Sequence, residues 1–153
     1  MKKILIIAAL ALGFTVAASA QPKAIGLRMG WYMEASYQHT VNGSDFVEAN
    51  FGTFGYNSMD ISSTYNFMIA QPAWTSRGEW GFYAGPGLAL GFFNGTTIAV
   101  QGQVGLEYTF WFPLQLSVDM KPQFGAWIGK HSADYFTGGL YGFIPSISVR
   151  YRF

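Results

Sequence analysis

Leu114-Gln115-Leu116-Ser117-Val118-Asp119-Met120-Lys121-Pro122-Gln123-Phe124 alternates apolar and polar residues without a break. Successive side chains of an extended chain point to opposite faces, so every polar group of this stretch shares one face and every apolar group the other. This is one strand with one apolar face. The pattern spreads outward along the chain. Ile98, Val100, Val104, Leu106, Tyr108 and Phe110 oppose Gln101, Gln103, Gly105, Glu107 and Thr109. Phe143, Pro145, Ile147, Val149, Tyr151 and Phe153 oppose Ser146, Ser148, Arg150 and Arg152. Upstream, Ile25, Leu27 and Met29 oppose Arg28; Met33, Ala35 and Tyr37 oppose Glu34, Ser36 and Gln38; Val47, Ala49 and Phe51 oppose Glu48 and Asn50. Ile61, Tyr65 and Phe67 oppose Asp60, Ser62, Thr64 and Asn66, and Phe82, Ala84, Leu88, Leu90 and Phe92 oppose a column of Gly81, Tyr83, Gly85, Gly87, Ala89 and Gly91.

Turn signals separate the runs. Asn42-Gly43 and Asn94-Gly95 are strong hairpin dipeptides, Gly55 to Ser58 and Trp111 to Pro113 read as turns, and Gln71 to Gly78 and Gly129 to Thr137 as longer loops. Seven runs are clear. Ala24 to Thr40 reads either as one long strand or as two folded at Trp31-Tyr32-Met33. The second choice keeps Arg28, Glu34, Ser36 and Gln38 on one face and gives eight strands with both ends on the same side. Single-chain bacterial barrels have even strand numbers, so eight is taken.

Charge placement distinguishes a barrel in lipid from a soluble sandwich. Charged residues make up 11% of the chain, less than half the average of about 25% for soluble domains. Lys2, Lys3, Lys23, Asp45, Arg77, Glu79, Lys130 and Asp134 fall at ends or turns, and Arg28, Glu34, Glu48, Asp60, Glu107, Asp119, Lys121, Arg150 and Arg152 all fall on polar faces. The remaining polar-face residues are Gly, Ser, Gln, Asn and Thr, a composition suited to a crowded lumen. Tyr37, Tyr65, Phe67, Trp80, Tyr108, Phe110, Tyr151 and Phe153 gather near one end, as an interfacial girdle requires. The fold class expected is all-β, a transmembrane antiparallel up-and-down barrel of eight strands.

The first twenty residues read as an address. Met1-Lys2-Lys3 is a positive n-region, Ile4 to Val16 an apolar run, and Ala18-Ser19-Ala20 a small-x-small cleavage pattern, so residues 1–20 are expected to be a cleaved signal peptide and 21–153 the barrel domain. There is no Cys in the chain, hence neither disulfide nor thiolate metal site. Localisation in the outer membrane of a Gram-negative bacterium follows, with outer-membrane lipid as the surroundings. At the other end, Ile147, Val149, Tyr151 and Phe153 resemble the signal that the β-barrel assembly machinery reads on a client's last strand. An apolar face beside exposed backbone groups suits pairing with an open strand edge. That machinery and periplasmic chaperones are the expected partners of a monomer.

The stretches Ala24 to Arg28, Trp80 to Gly87, Gln103 to Tyr108, Pro113 to Asp119 and Ser148 to Phe153 resemble the small outer-membrane β-barrel proteins common in Bacteroidota. More distantly, the size is similar to OmpX and the OmpA membrane domain. The resemblance spans nearly the whole mature chain and implies fold and location, with little about activity. It also implies a glycine-rich first turn, where this chain has bulky Trp31 to Met33.

Candidate chemistry is sparse. His131, Ser132 and Asp134 share one loop, whereas a triad gathers partners from separate elements, and His39 near Asn42-Gly43 reads as interfacial. The glycine column at 85, 87 and 91 lacks the Lys-Ser/Thr and the helix of a phosphate loop. Two His and scattered carboxylates give no metal spacing, and near-zero net charge removes the footprint of a nucleic-acid binder. Expected, then, are no enzyme activity and no cofactor. The functional expectation is a structural or interaction role with a side-chain-filled lumen; the alternatives are a small-solute pore or transporter and, behind it, a lipid-modifying enzyme. The nine polar-face charges are expected to form two ion-pair clusters, an outer one of Arg28 with Glu34 and Asp60 and an inner one of Arg150 and Arg152 with Glu48 and Glu107.

Overall fold

The computed structural model describes residues 22–54, 58–92, 95–136 and 138–153. The expected signal peptide lies outside the described residues, as do 55–57 of one expected turn, Asn94 of another and Thr137 of the last loop. The described chain forms ten strands: β1 (Lys23–Met29), β2 (Tyr32–Asn42), β3 (Asp45–Phe54), β4 (Ser58–Ala70), β5 (Glu79–Phe92), β6 (Thr96–Thr109), β7 (Leu114–Met120), β8 (Gln123–Ile128), β9 (Ala133–Phe136) and β10 (Ser146–Arg152). All pairings are antiparallel, and the sheet closes on itself through β1–β10 and β5–β6.

Ten strands make eight barrel positions. β7 and β8 both pair with β6 in a single register, Val104↔Met120 and Gln101↔Gln123. They are one strand crossed by Pro122, which has no N–H to give, so the ladder there is carried by Gly102 N–H donating to the Pro122 carbonyl at 3.1 Å. β9 and β10 share the eighth position, pairing with β8 and β7 respectively. Between Ser146↔Asp119 and Phe136↔Gly125 the seventh strand advances six residues and the eighth ten. The four extra residues are taken up by a 3-10 turn, Gly138–Phe143, so Phe143 belongs to this turn and not to the last strand. The last loop is correspondingly shorter than expected, with 133–136 in strand.

Register gives the barrel its stagger. From Arg28 through Glu34, Gly52 and Asp60 the pairing reaches Gly91, and in the other direction through Ser148, Ser117 and Glu107 it reaches Gly81. The two ends of that circuit differ by ten residues on β5, a stagger consistent with strands tilted about 35–45°. Lys23 and Phe153 exchange backbone hydrogen bonds of 3.0 and 2.8 Å, which puts both ends of the described chain at one end of the barrel. The hairpin at Asn42, whose Gly43 has φ 59° as such a turn needs, lies at that same end, with segments 71–78 and 110–113. The first hairpin turns at Gly30-Trp31-Tyr32, since Met29 pairs Met33, one residue earlier than expected. Arg28 and Glu34 thereby become directly opposed partners instead of diagonal neighbours.

Burial is inverted relative to a water-soluble domain. Arg28, Glu34, Glu48, Asn50, Asn66, Asp119, Lys121 and Arg150 are all buried, whereas Leu27, Phe51, Leu88, Val104, Phe124 and Ile147 are each more than half exposed. The interior is the polar face of every strand.

Candidate functional site

Among the described residues, charged side chains converge in the lumen. Alternation places them there strand by strand, and closure then decides which ones meet. At the end away from the termini, Arg28 on β1 donates from Nη1 to Glu34 Oε2 at 2.9 Å, and from Nη2 and Nε to Asp119 Oδ1 at 2.6 and 2.8 Å. Lys121 donates from Nζ to both oxygens of Glu34 at 2.7 and 2.8 Å, and to Ser62 Oγ at 3.1 Å. Two cations and two carboxylates balance in a tight group, and charge-assisted bonds of this length are the strong ones. Asp60, grouped with Arg28 in the sequence reading, accepts from Gln123 Nε2 at 3.3 Å and forms no ion pair among the described residues.

Midway, Arg150 donates from each of its three guanidinium nitrogens: Nε to Ser36 Oγ at 2.8 Å, Nη1 to Ser117 Oγ at 2.7 Å and Nη2 to Glu48 Oε1 at 2.8 Å. Glu48 also accepts from Ser36 Oγ at 3.0 Å, Gln38 Nε2 at 3.1 Å and Gln103 Nε2 at 3.2 Å. Four donors around one carboxylate compensate its removal from water.

The terminal end is built differently. Glu107, grouped with the two terminal arginines in the sequence reading, has no ion-pair partner within the described residues; it accepts one bond, from Gln115 Nε2 at 2.7 Å. Arg152 does not enter the lumen network. Being at the end of its strand it stands at the mouth, its side chain 35% exposed, with Nη1 4.0 Å from Glu79 Oε2. Glu107 and Arg152 both line a cavity of about 110 Å³ that opens at this end.

Two aromatic side chains lie inside the lumen: Tyr83, which the sequence places in the inward glycine column, and Phe46, which the sequence reading did not single out. Phe46 and Tyr83 pack edge to face at 5.0 Å between the middle network and the terminal cavity, with Phe46 4% and Tyr83 0% exposed. Phe46 shares its parity with Glu48 and Asn50, a signal that was available. Tyr83 fits because Gly105 faces it: a Cβ there would lie 2.5 Å from the ring.

His131, Ser132 and Asp134 are all exposed, and the Asp134 carboxylate accepts from the backbone N–H of Tyr135 at 2.7 Å. Among the described residues no group of three or more His, Cys, Asp or Glu could hold a metal ion. No known family matches the chain, and neither does any curated protein or solved structure.

The outside carries a continuous aromatic band at the terminal end. Trp74, Trp80, Tyr108, Phe110, Trp111 and Phe112 run in ring contact, with neighbouring centroids 4.6 to 5.9 Å apart. Tyr65 touches Phe67 at 4.9 Å and Tyr151 touches Phe153 at 6.4 Å. Arg77 lies over the Trp111 ring at 5.9 Å. Segments 71–78 and 110–113 thus contribute to the band alongside the strands.

Proposed function

We propose that this chain is an integral outer-membrane β-barrel, delivered by the signal sequence at 1–20 and held in lipid, with a structural or interaction role. The observation that carries this reading is the inverted burial. A water-exposed belt of Leu27, Phe51, Leu88, Val104, Phe124 and Ile147 would be a contiguous apolar surface far beyond what soluble monomers tolerate. In lipid the same belt is the favourable face, and a closed barrel leaves no unpaired backbone in the hydrocarbon. The aromatic band supports the assignment of one rim to an interface. Outward Ile147, Val149 and Tyr151 on β10, which seals the barrel against β1, and exposed Phe153 just after it support recognition by an assembly machinery. The resemblance to Bacteroidota barrels belongs to the same reading, and so does the absence of a catalytic role.

The filled lumen favours this role over conduction. Arg28–Asp119 and Arg150–Glu48 contacts reach across the lumen between strands that are not paired in the sheet, and an eight-stranded interior is just wide enough for side chains to fill.

Fractionation and gel mobility test the proposal. The protein is expected in the outer-membrane fraction, migrating differently with and without boiling. Recovery only from the soluble periplasm would overturn it. Val104→Lys, midway along β6 and 52% exposed, sharpens the test: facing lipid near the midplane it should cost about 2–4 kcal/mol, and facing water about 0.5 kcal/mol or less.

A further inference from the structure

We propose that Asp134 keeps the open edge of β9 from pairing with a second copy of this chain. β9 ends the sheet: among the described residues it pairs with β8 alone. β1, its neighbour around the barrel, makes its last pair with β10 at Met29↔Ile147 and so stops short of it. Ala133-Asp134-Tyr135-Phe136 thus borders no described strand on one side, at the end of the barrel away from the termini. An unpaired strand edge is a template for another chain, and native edges are commonly defended with Lys, Pro or a bulge. β9 has neither Lys nor Pro, and its register against β8 runs without a shift. Its Tyr and Phe favour strand pairing.

Ladder alternation fixes which backbone groups face outward. Gly129 N–H donates to the Ser132 carbonyl at 2.8 Å and closes the β8–β9 hairpin, so Trp127↔Asp134 and Gly125↔Phe136 are the hydrogen-bonded pairs that follow. The N–H and C=O of Ala133 and Tyr135 therefore point away from β8. One of these two outward donors is already taken, since Tyr135 N–H donates to Asp134 Oδ1 at 2.7 Å. A side-chain acceptor of this kind competes with the ladder for the backbone donor. The charge acts a second time. A two-fold pairing that uses all four outward groups sets Ala133 opposite Tyr135 of the second copy, and Asp134 then falls directly opposite its own counterpart. That position is a non-hydrogen-bonded pair, where side chains stand closest, and like charges directly opposite each other are destabilising.

The test uses the full mature chain folded in detergent micelles, with its mass read by sedimentation equilibrium and its edge amides by hydrogen exchange in NMR. The unaltered chain is expected to be monomeric, and its Tyr135 N–H to exchange more slowly than that of Ala133, which has no such cap. Asp134→Ala frees the donor and removes the charge, and should tighten self-association at least about tenfold. Asp134→Asn keeps an oxygen for the cap without the charge, and should tighten it by less. Asp134→Ala combined with Tyr135→Pro takes away the donor itself, at an edge position where proline is tolerated, and should be monomeric again. Unboiled gel mobility reports whether each variant is folded; if the double variant is not, the Asp134→Asn result and the exchange rates of the unaltered chain decide. A dimeric unaltered chain, equal exchange at Ala133 and Tyr135, an Asp134→Ala chain still monomeric at about 1 mM, Asp134→Asn associating as tightly as Asp134→Ala, or undiminished association of the double variant would overturn the proposal. Failure of outer-membrane localisation would leave these results untouched, so the two proposals fall separately.

Discussion

The two ends of the lumen solve the same electrostatic problem in opposite ways. Away from the termini, Glu34 and Asp119 are matched against Arg28 and Lys121, all within 2% of complete burial. At the terminal end, Glu107 has one amide donor and a cavity in front of it, lined also by Lys23 and by Arg152, which faces Glu79. The difference follows from depth. A charge sealed from water must be paired by the protein, because removing it from water costs several kcal/mol per ion; a charge at an open mouth is served by solvent or by a ligand. One end is therefore held by the chain's own ion pairs, and the other opens to its surroundings.

Substitutions that separate the two ends should differ in scale. Glu34→Ala strips both Arg28 and Lys121 of a partner and should cost about 3–5 kcal/mol, read as a lower urea midpoint for loss of the fast-migrating band. A cost near that of an outward Thr53→Ala would mean that water reaches this end too. Arg150→Met should fall in the same range, about 3–5 kcal/mol, and adding Glu48→Met should recover part of the loss. Additive losses would show that the two side chains are not coupled.

Gly105→Ala comes next. The new methyl meets the Tyr83 ring and the Asp119 Cβ at 2.5 and 2.7 Å, between the packed network and the cavity, and overpacking of this kind costs about 1–3 kcal/mol. Unfolding at an unchanged urea midpoint would mean that Tyr83 shifts freely toward the cavity. Glu107→Gln should cost under about 1 kcal/mol, since its single hydrogen bond survives. A loss as large as that of Glu34→Ala would erase the contrast between the ends. Smallest is Glu79→Ala, removing a half-exposed 4.0 Å pair with Arg152, for which about 0–1 kcal/mol is the ordinary range; any measured effect should vanish at high salt.

How far these features are legible in sequence depends on whether parity suffices. The alternation from Leu114 to Phe124 assigns a face to each residue because the two-residue period is local to one strand. Parity does not, however, locate turns. Moving the first turn from Trp31–Met33 to Gly30–Tyr32 changes the register by two and leaves every side chain on its face, so Arg28 gains Glu34 as a direct partner with no change in pattern. Likewise the eighth strand absorbs four extra residues at Gly138–Phe143, and an even number is invisible to alternation. Bulk hides in the same way: Phe46 lies on the polar face by parity, yet its apolar side chain disguises it.

By itself the sequence determined that the chain is a set of amphipathic strands, which faces of them are polar, and that charges such as Arg28, Glu48, Asp119 and Arg150 share a face with small polar neighbours. These are properties of single strands, set by backbone geometry over a few residues. Only the tertiary structure decided that Arg28 meets Asp119, 91 residues away, that Asp60 and Glu107 form no ion pair among the described residues, and that Arg152 stands at the mouth. Those outcomes depend on the ten-residue stagger and on the depth at which each strand begins and ends, quantities fixed by closing all eight strands at once.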